Sequence, residues 1–128
     1  MTHTAEMSHI ERARQRLRDR AQARFEQFEE MRCQAVSDVR AIADMIAGKY
    51  EPVCIYQWGS VLRPGDFRDY SDIDIAVEGI TDAQTFFRLL ADAQALTHFS
   101  LDIVQMEKIL PEYAEDIRHH GRVVYERA

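Results

Sequence analysis

Apolar and small residues recur every three or four positions at Ile10, Leu17, Ala21, Phe25, Phe28, Met31, Ala35, Val39, Ile42 and Ile46. That spacing puts them along one side of a helix. Neither glycine nor proline interrupts the run before Gly48. Ser8, with Glu11 three residues on, has the form of a capping box, and Gly48 is a natural C-terminal stop. The pattern therefore predicts one long helix, or two abutting ones, over residues 8–47. Unbroken, such a helix would be roughly 60 Å long, more than a chain of 128 residues can cover along its whole length. Either it breaks near Glu29–Gln34, or its N-terminal half projects. In the second case Ile10, Leu17, Phe25 and Phe28 need a surface in this chain, in a second copy or in a partner.

After Gly48 the period shortens. Lys49–Pro52 is a connector, and Val53–Trp58, β-branched and aromatic, reads as a strand. Gly59-Ser60 closes it. Val61–Arg63 reads as a helical turn stopped by Pro64-Gly65, and Asp66–Ser71 as an exposed loop. Asp72–Val77 is the second strand. Thr81 or Asp82 caps a helix running to about Leu96, with Phe86, Phe87, Leu89, Leu90 and Ala93 as its apolar side. Ser100–Gln105 is the third strand. Pro111 opens a helix over about 111–119, Gly121 ends it, and Val123–Tyr125 is a short last strand. The order predicts an α/β fold, a small β-sheet packed on helices. Residues 1–49 read as an N-terminal helical extension and residues 50–128 as the core, one domain overall.

Composition narrows the function classes. Apolar residues make 46% of the chain and charged residues 30%, the balance of a soluble globule. No apolar run approaches the roughly 20 residues that span a bilayer, and no signal peptide is evident. Cys33 and Cys54 form no metal or redox motif; two buried, reduced thiols in a cytoplasmic protein are expected. The net charge is −6. Residues 1–24 carry six arginines against Glu6, Glu11 and Asp19, or +3, which leaves −9 on the rest. An acidic body argues against direct nucleic-acid binding. The basic N-terminal segment fits an acidic partner or a solvated helix face.

Three aspartates, Asp72, Asp74 and Asp102, sit within predicted strands, where aspartate is disfavoured. In a strand, Asp72 and Asp74 share a face while Ile73 and Ile75 turn inward. Adjacent carboxylates are costly to hold without a cation. Three hard oxygen ligands suit Mg²⁺ with phosphate oxygens completing its shell. Gly59 allows close backbone approach to a phosphate. Ser60 adds a hydroxyl and the start of a turn whose N–H groups would face the anion.

Gly59-Ser60, a loop, Asp72-x-Asp74 and the later Leu101-Asp102-Ile103-Val104 together resemble the signature of the DNA polymerase β-like nucleotidyltransferase superfamily. The run Ser71–Val77 and the small size are most similar to its minimal nucleotidyltransferases, the MNT proteins. The ending Ile117–Glu126 also resembles their final helix and strand, so the resemblance covers about residues 50–127. It implies the polymerase β-like nucleotidyltransferase fold with a small mixed sheet. It implies two Mg²⁺ ions held by Asp72, Asp74 and Asp102, with ATP as substrate and its β and γ phosphates positioned by Gly59, Ser60 and Arg63. Many MNT proteins are antitoxins of HEPN ribonuclease toxins, and several transfer AMP to a toxin tyrosine. The resemblance therefore implies an AMP-transferring antitoxin with a HEPN partner. In that reading Asp102 ligands the catalytic ion and accepts the hydroxyl proton.

Two departures from the family pattern stand out. The loop of residues 61–71 is one residue longer than usual, and Val61 stands where many members carry an arginine, so that only Arg63 matches. Arg68 is the alternative phosphate contact. A binding-only antitoxin, or a transferase for a small molecule such as an aminoglycoside, remains open. A homo-oligomer through the N-terminal helix is a further option. His119-His120, adjacent on a helix, read as surface charge at its C-terminus. Trp58 reads as core, and Phe67 and Tyr70 as exposed loop residues.

Overall fold

The structure is a computed structural model that describes residues 8–128. Helix α1 (His9–Tyr50) is followed by β1 (Cys54–Trp58), a 3-10 turn at Ser60–Leu62 and β2 (Ile73–Glu78). Then come α2 (Ala83–Gln94), β3 (Leu101–Gln105), α3 (Pro111–His120) and β4 (Arg122–Glu126). The sheet order is β3-β2-β1-β4. β1 runs antiparallel to both β2 and β4, while β2 and β3 are parallel, so the sheet is mixed.

α1 does not break. Its 42 residues correspond to about 63 Å at 1.5 Å per residue. The expected capping box is formed: the Ser8 hydroxyl accepts from the Glu11 amide, and the Glu11 carboxylate accepts from the Ser8 amide. The far end differs from expectation. Gly48 lies inside the helix, which runs on to Tyr50 and ends at Glu51 in the left-handed region (φ 50°, ψ 55°). The last turn is held from outside: Lys49 Nζ and Tyr50 OH both donate to Asp92 of α2 at 2.6 Å. Pro52 follows and cannot continue the helix. Long-range anchoring outweighs the glycine signal at this end.

One face of the sheet is largely apolar, with Gln57 a buried polar residue on it. Ile55, Ile73, Ile75, Val77 and Ile103 pack there against Ala35, Val39, Ile42, Ala43 and Ile46 of α1 and Leu89 and Ala93 of α2. Each fully buried aliphatic side chain contributes about 1.5–3 kcal/mol. Phe67, expected in an exposed loop, is fully buried in this core, its ring edge-on to Phe99 at 5.7 Å. The loop of residues 63–72 is therefore pinned by an anchor that its polar composition hides. Phe87, expected on the inner side of α2, is 68% exposed. Cys54 is buried as expected, but Cys33 is exposed on α1.

The opposite face is covered in part. Ala114 and Ile117 of α3 pack on Cys54, Tyr56, Ala76 and Met106, with Trp58, Val104 and Ile109 around them. Pro111 opens α3 and Gly121 closes it. A side chain at Gly121 would stand 2.5 Å from the Ile117 carbonyl and 3.1 Å from that of Gln57. The glycine thus lets the chain turn directly from α3 into β4. The part of this face that α3 leaves open carries the aspartates.

The N-terminal half of α1 projects from the domain. Ile10, Leu17 and Phe25 are 65%, 63% and 50% exposed. None of the described helices is long and apolar enough to cross a membrane.

Candidate active site

The aspartates reach one region because of strand register. Asp74 on β2 lies directly opposite Asp102 on the parallel strand β3 and opposite Trp58 on β1. Neighbouring strands lie about 4.8 Å apart, so the two carboxylates leave the same face side by side. Asp72, two residues before Asp74, sits at the entry to β2. Ile73, Ile75 and Ile103, which alternate with the aspartates, are buried on the other face, as the alternation of side chains along a strand requires.

Asp74 is the electrostatic centre of the group. Its pKa is pushed from 3.8 up to about 6, first by burial and then by the charges of Asp102 and Asp72, against a smaller opposing pull from Arg63. Such a carboxylate gains from a cation beside it. Among the described residues, no three His, Cys, Asp and Glu side chains are gathered closely enough to hold one ion. Asp74 and Asp102 share a face and a register. A divalent ion fits this donor set by its hard oxygens and by relief of the Asp74 desolvation. The residues that would hold it are Asp72, Asp74 and Asp102.

Gly59 lies against Asp74. Its φ is +84°, and a Cβ there would overlap Asp74 Oδ2. Both the backbone conformation and the space therefore demand glycine. Ser60 begins the 3-10 turn, and Val61 within it is completely buried. Where an arginine would have reached outward, this chain anchors the turn in its core. Arg63 follows the turn, exposed and ion-paired with Asp66 at 2.7 Å. Arg68 is also engaged: its Nη1 donates to the carbonyls of Gly65 (2.6 Å) and Phe67 (2.9 Å), and its guanidinium lies 5.2 Å from the Phe28 ring centre.

The residues that hold the Gly-Ser turn come from α1. Glu29 accepts a hydrogen bond from the Gly65 amide (2.5 Å), and Arg32 donates to the Val61 carbonyl (3.0 Å) while pairing with Glu29 at 3.0 Å. The Gly65 and Arg32 bonds hold the Glu29 carboxyl below its ordinary value. Helix periodicity flagged neither Glu29 nor Arg32, because both lie beside the apolar stripe and their partners are 29 and 36 residues away. A cavity of about 450 Å³ adjoins the turn. It is bounded by Trp58, Gly59, Leu62 and Arg63 on one side and by Asp116, Ile117 and His120 of α3 on the other. Trp58 is half-buried at its edge, and its indole N–H is buried without a hydrogen-bond partner. Tyr70 is 82% exposed. His119 and His120 pair with Glu115 and Asp116 on the α3 surface, as expected of surface charge.

The model of the family described as "Polymerase beta, Nucleotidyltransferase" matches residues 40–128, the segment that contains every one of these aspartates and the Gly-Ser turn. The chain belongs to this nucleotidyltransferase family. Solved structures share the fold. A chain of the toxin–antitoxin complex MntA-HepT superposes with a TM-score of 0.55 at 17% identity, covering 70% of this chain and 71% of that one. A toxin–antitoxin structure with AMP-PNP gives 0.56 at 20% identity, covering 70% and 73%. A protein assigned as a minimal nucleotidyltransferase gives 0.52 at 22% identity, covering 77% and 93%. No curated protein matches the chain. The expected nucleotidyltransferase fold is thus present, with its mixed sheet and long N-terminal helix, and the family match begins inside α1.

Proposed function

We propose that this nucleotidyltransferase is an MNT-type antitoxin that transfers AMP from ATP to a hydroxyl, a tyrosine by preference, of a HEPN ribonuclease partner. The observation that carries the reading is the register that sets Asp74 beside Asp102 and against Gly59. A site with carboxylates on one side and a close backbone approach on the other suits a metal-bound triphosphate. The toxin–antitoxin identity of the MntA-HepT structure supports the choice of partner, and AMP-PNP in another toxin–antitoxin structure of this fold supports the nucleotide.

Asp72, Asp74 and Asp102 would hold Mg²⁺, two ions when ATP is bound, which neutralise charge on the phosphates and lower the pKa of the attacking hydroxyl. Gly59 and Ser60 seat the β and γ phosphates. Asp102, the more exposed of the facing pair, takes the proton of the incoming hydroxyl. The hydroxyl oxygen forms a bond to the α-phosphorus, the bond from that phosphorus to the bridging oxygen breaks, and pyrophosphate leaves with the electron pair. Arg63 is held to Asp66 through Nε alone, and the exposed ion pair costs little to open toward a phosphate.

A second reading has its own observation. With Val61 buried and both Arg63 and Arg68 engaged within the loop, the triphosphate contact is incomplete, and the protein could neutralise its partner by binding alone. Incubation of the co-purified pair with α-labelled ATP and Mg²⁺ separates the two. The transferase reading expects label on the partner; an unlabelled but still neutralised partner overturns it.

A further inference from the structure

The projecting half of α1 carries an apolar stripe that no other described residue covers. Ile10, Leu17 and Ala21 lie on the same meridian as Ala35, Val39, Ile42 and Ile46, which are buried in the core, because each residue of a helix advances about 100°. The stripe is thus the outward continuation of a seam already used for packing. It is narrow, with large residues separated by small ones, as helix–helix seams are. An interfacial membrane helix instead buries a broad face with bulky anchors.

The flanks of the stripe decide what fits it. At about 100° per residue, Arg14 and Arg18 border it on one side and Arg20 and Arg24 on the other. Arg14, Arg20 and Arg24 make no hydrogen bond or ion pair among the described residues, and Arg18 makes only a hydrogen bond to Gln15. Arg12–Arg16, Arg14–Arg18, Arg16–Arg20 and Arg20–Arg24 are like-charge pairs four residues apart, a spacing that weakens a helix on its own. The acidic residues between positions 9 and 30 do not neutralise these rows: Asp19, Glu26 and Glu30 point away from the stripe, Asp19 accepting from Gln15, Glu11 is engaged with the Ser8 amide, and Glu29 with Gly65 and Arg32. A second copy in either direction would set arginine flank against arginine flank.

We infer that the N-terminal half of α1 is a docking arm for an acid-flanked apolar helix of a partner protein, rather than a self-association surface. Such a helix covers Ile10, Leu17 and Ala21 and neutralises both arginine rows. The docking arm does not depend on the transferase reading, because its binding does not involve the aspartates.

The test uses the full-length protein and a fluorescently labelled synthetic helical peptide with leucines at its seam and glutamates on both flanks. Three controls accompany it: the same peptide with lysine for glutamate, phosphatidylglycerol vesicles, and sedimentation of the protein alone. The glutamate peptide should bind, and raising salt to about 1 M, where the screening length is about 3 Å, should weaken it at least tenfold. The variant R14E/R18E/R20E/R24E should lose the glutamate peptide and gain the lysine peptide. Leu17→Asp should lose both, and Asp74→Asn should bind as wild type does. Unchanged unfolding of the arm variants confirms that the core is intact. No binding of the glutamate peptide, preference for the vesicles, or a dimer that Leu17→Asp abolishes would each overturn the inference.

Discussion

The two faces of the sheet are made from the same strands and behave as opposites. On β2, Ile73, Ile75 and Val77 are wholly buried, while Asp74, between the two isoleucines, is only part-buried and pushed up to about 6. The isoleucine face is shaped by packing, and a change there acts on stability. The aspartate face is held in an unfavourable electrostatic state, and a change there should act on function while relieving the fold. Residues one position apart should therefore respond to mutation with opposite signs, because strand alternation sends them to different environments.

The largest effect expected is on activity. Asp74→Asn or Asp102→Asn should lower AMP transfer at least about 10³-fold, equivalent to about 4 kcal/mol of transition-state stabilisation. A transfer assay retaining a tenth of wild-type rate would separate these carboxylates from the chemistry. The counterpart on the other face is Ile75→Ala, which should cost about 2–5 kcal/mol in chemical denaturation, because a fully buried side chain leaves a cavity. A loss below about 1 kcal/mol would mean that the core relaxes around it. Gly59→Ala comes next. It places a Cβ on the Asp74 carboxylate and demands a backbone conformation (φ 84°, ψ −163°) open essentially only to glycine, which costs another residue about 1–3 kcal/mol. It should lower both stability and transfer, and wild-type transfer would show that the close approach is unnecessary.

Asp74 also sets the direction of a pH effect. Between 3.8 and about 6 the folded protein retains a proton that the unfolded chain has lost. Stability should therefore fall as pH rises through that window. Asp74→Asn should remove the slope and melt higher than wild type at pH 7. Added Mg²⁺ should raise the melting temperature of wild type and not of Asp74→Asn. A wild-type melting temperature that rises from pH 4 to pH 6 relative to the variant would contradict the sign. The smallest effect belongs to the clamp from α1. Glu29→Gln weakens a charge-assisted bond to the Gly65 amide and should loosen the 61–71 loop, raising the KM for ATP a few-fold with little change in melting temperature. Unchanged KM would show that the loop is set by Phe67 alone.

Much of this arrangement is legible in the chain. The period of apolar residues, with cap, proline and glycine signals, identifies the helices and strands, and the Asp-x-Asp alternation identifies the face that bears the candidate site. What stays hidden depends on contacts far apart in sequence. Gly48 looks like a helix end, but Asp92 anchors the helix beyond it. Phe67 looks like a loop residue, but the core closes over it. Glu29 and Arg32 look like solvated charge, but they tie α1 to the Gly-Ser turn. Apolar spacing also cannot say what covers a helix: the same stripe is core after Ala35 and exposed before Phe28.

The most direct test of the central claim is the intact mass of the partner protein after co-expression with wild-type chain or with Asp74→Asn. The transferase account predicts one or more AMP units on the partner with wild type and none with the variant. A partner of unmodified mass in both, still neutralised, would contradict it.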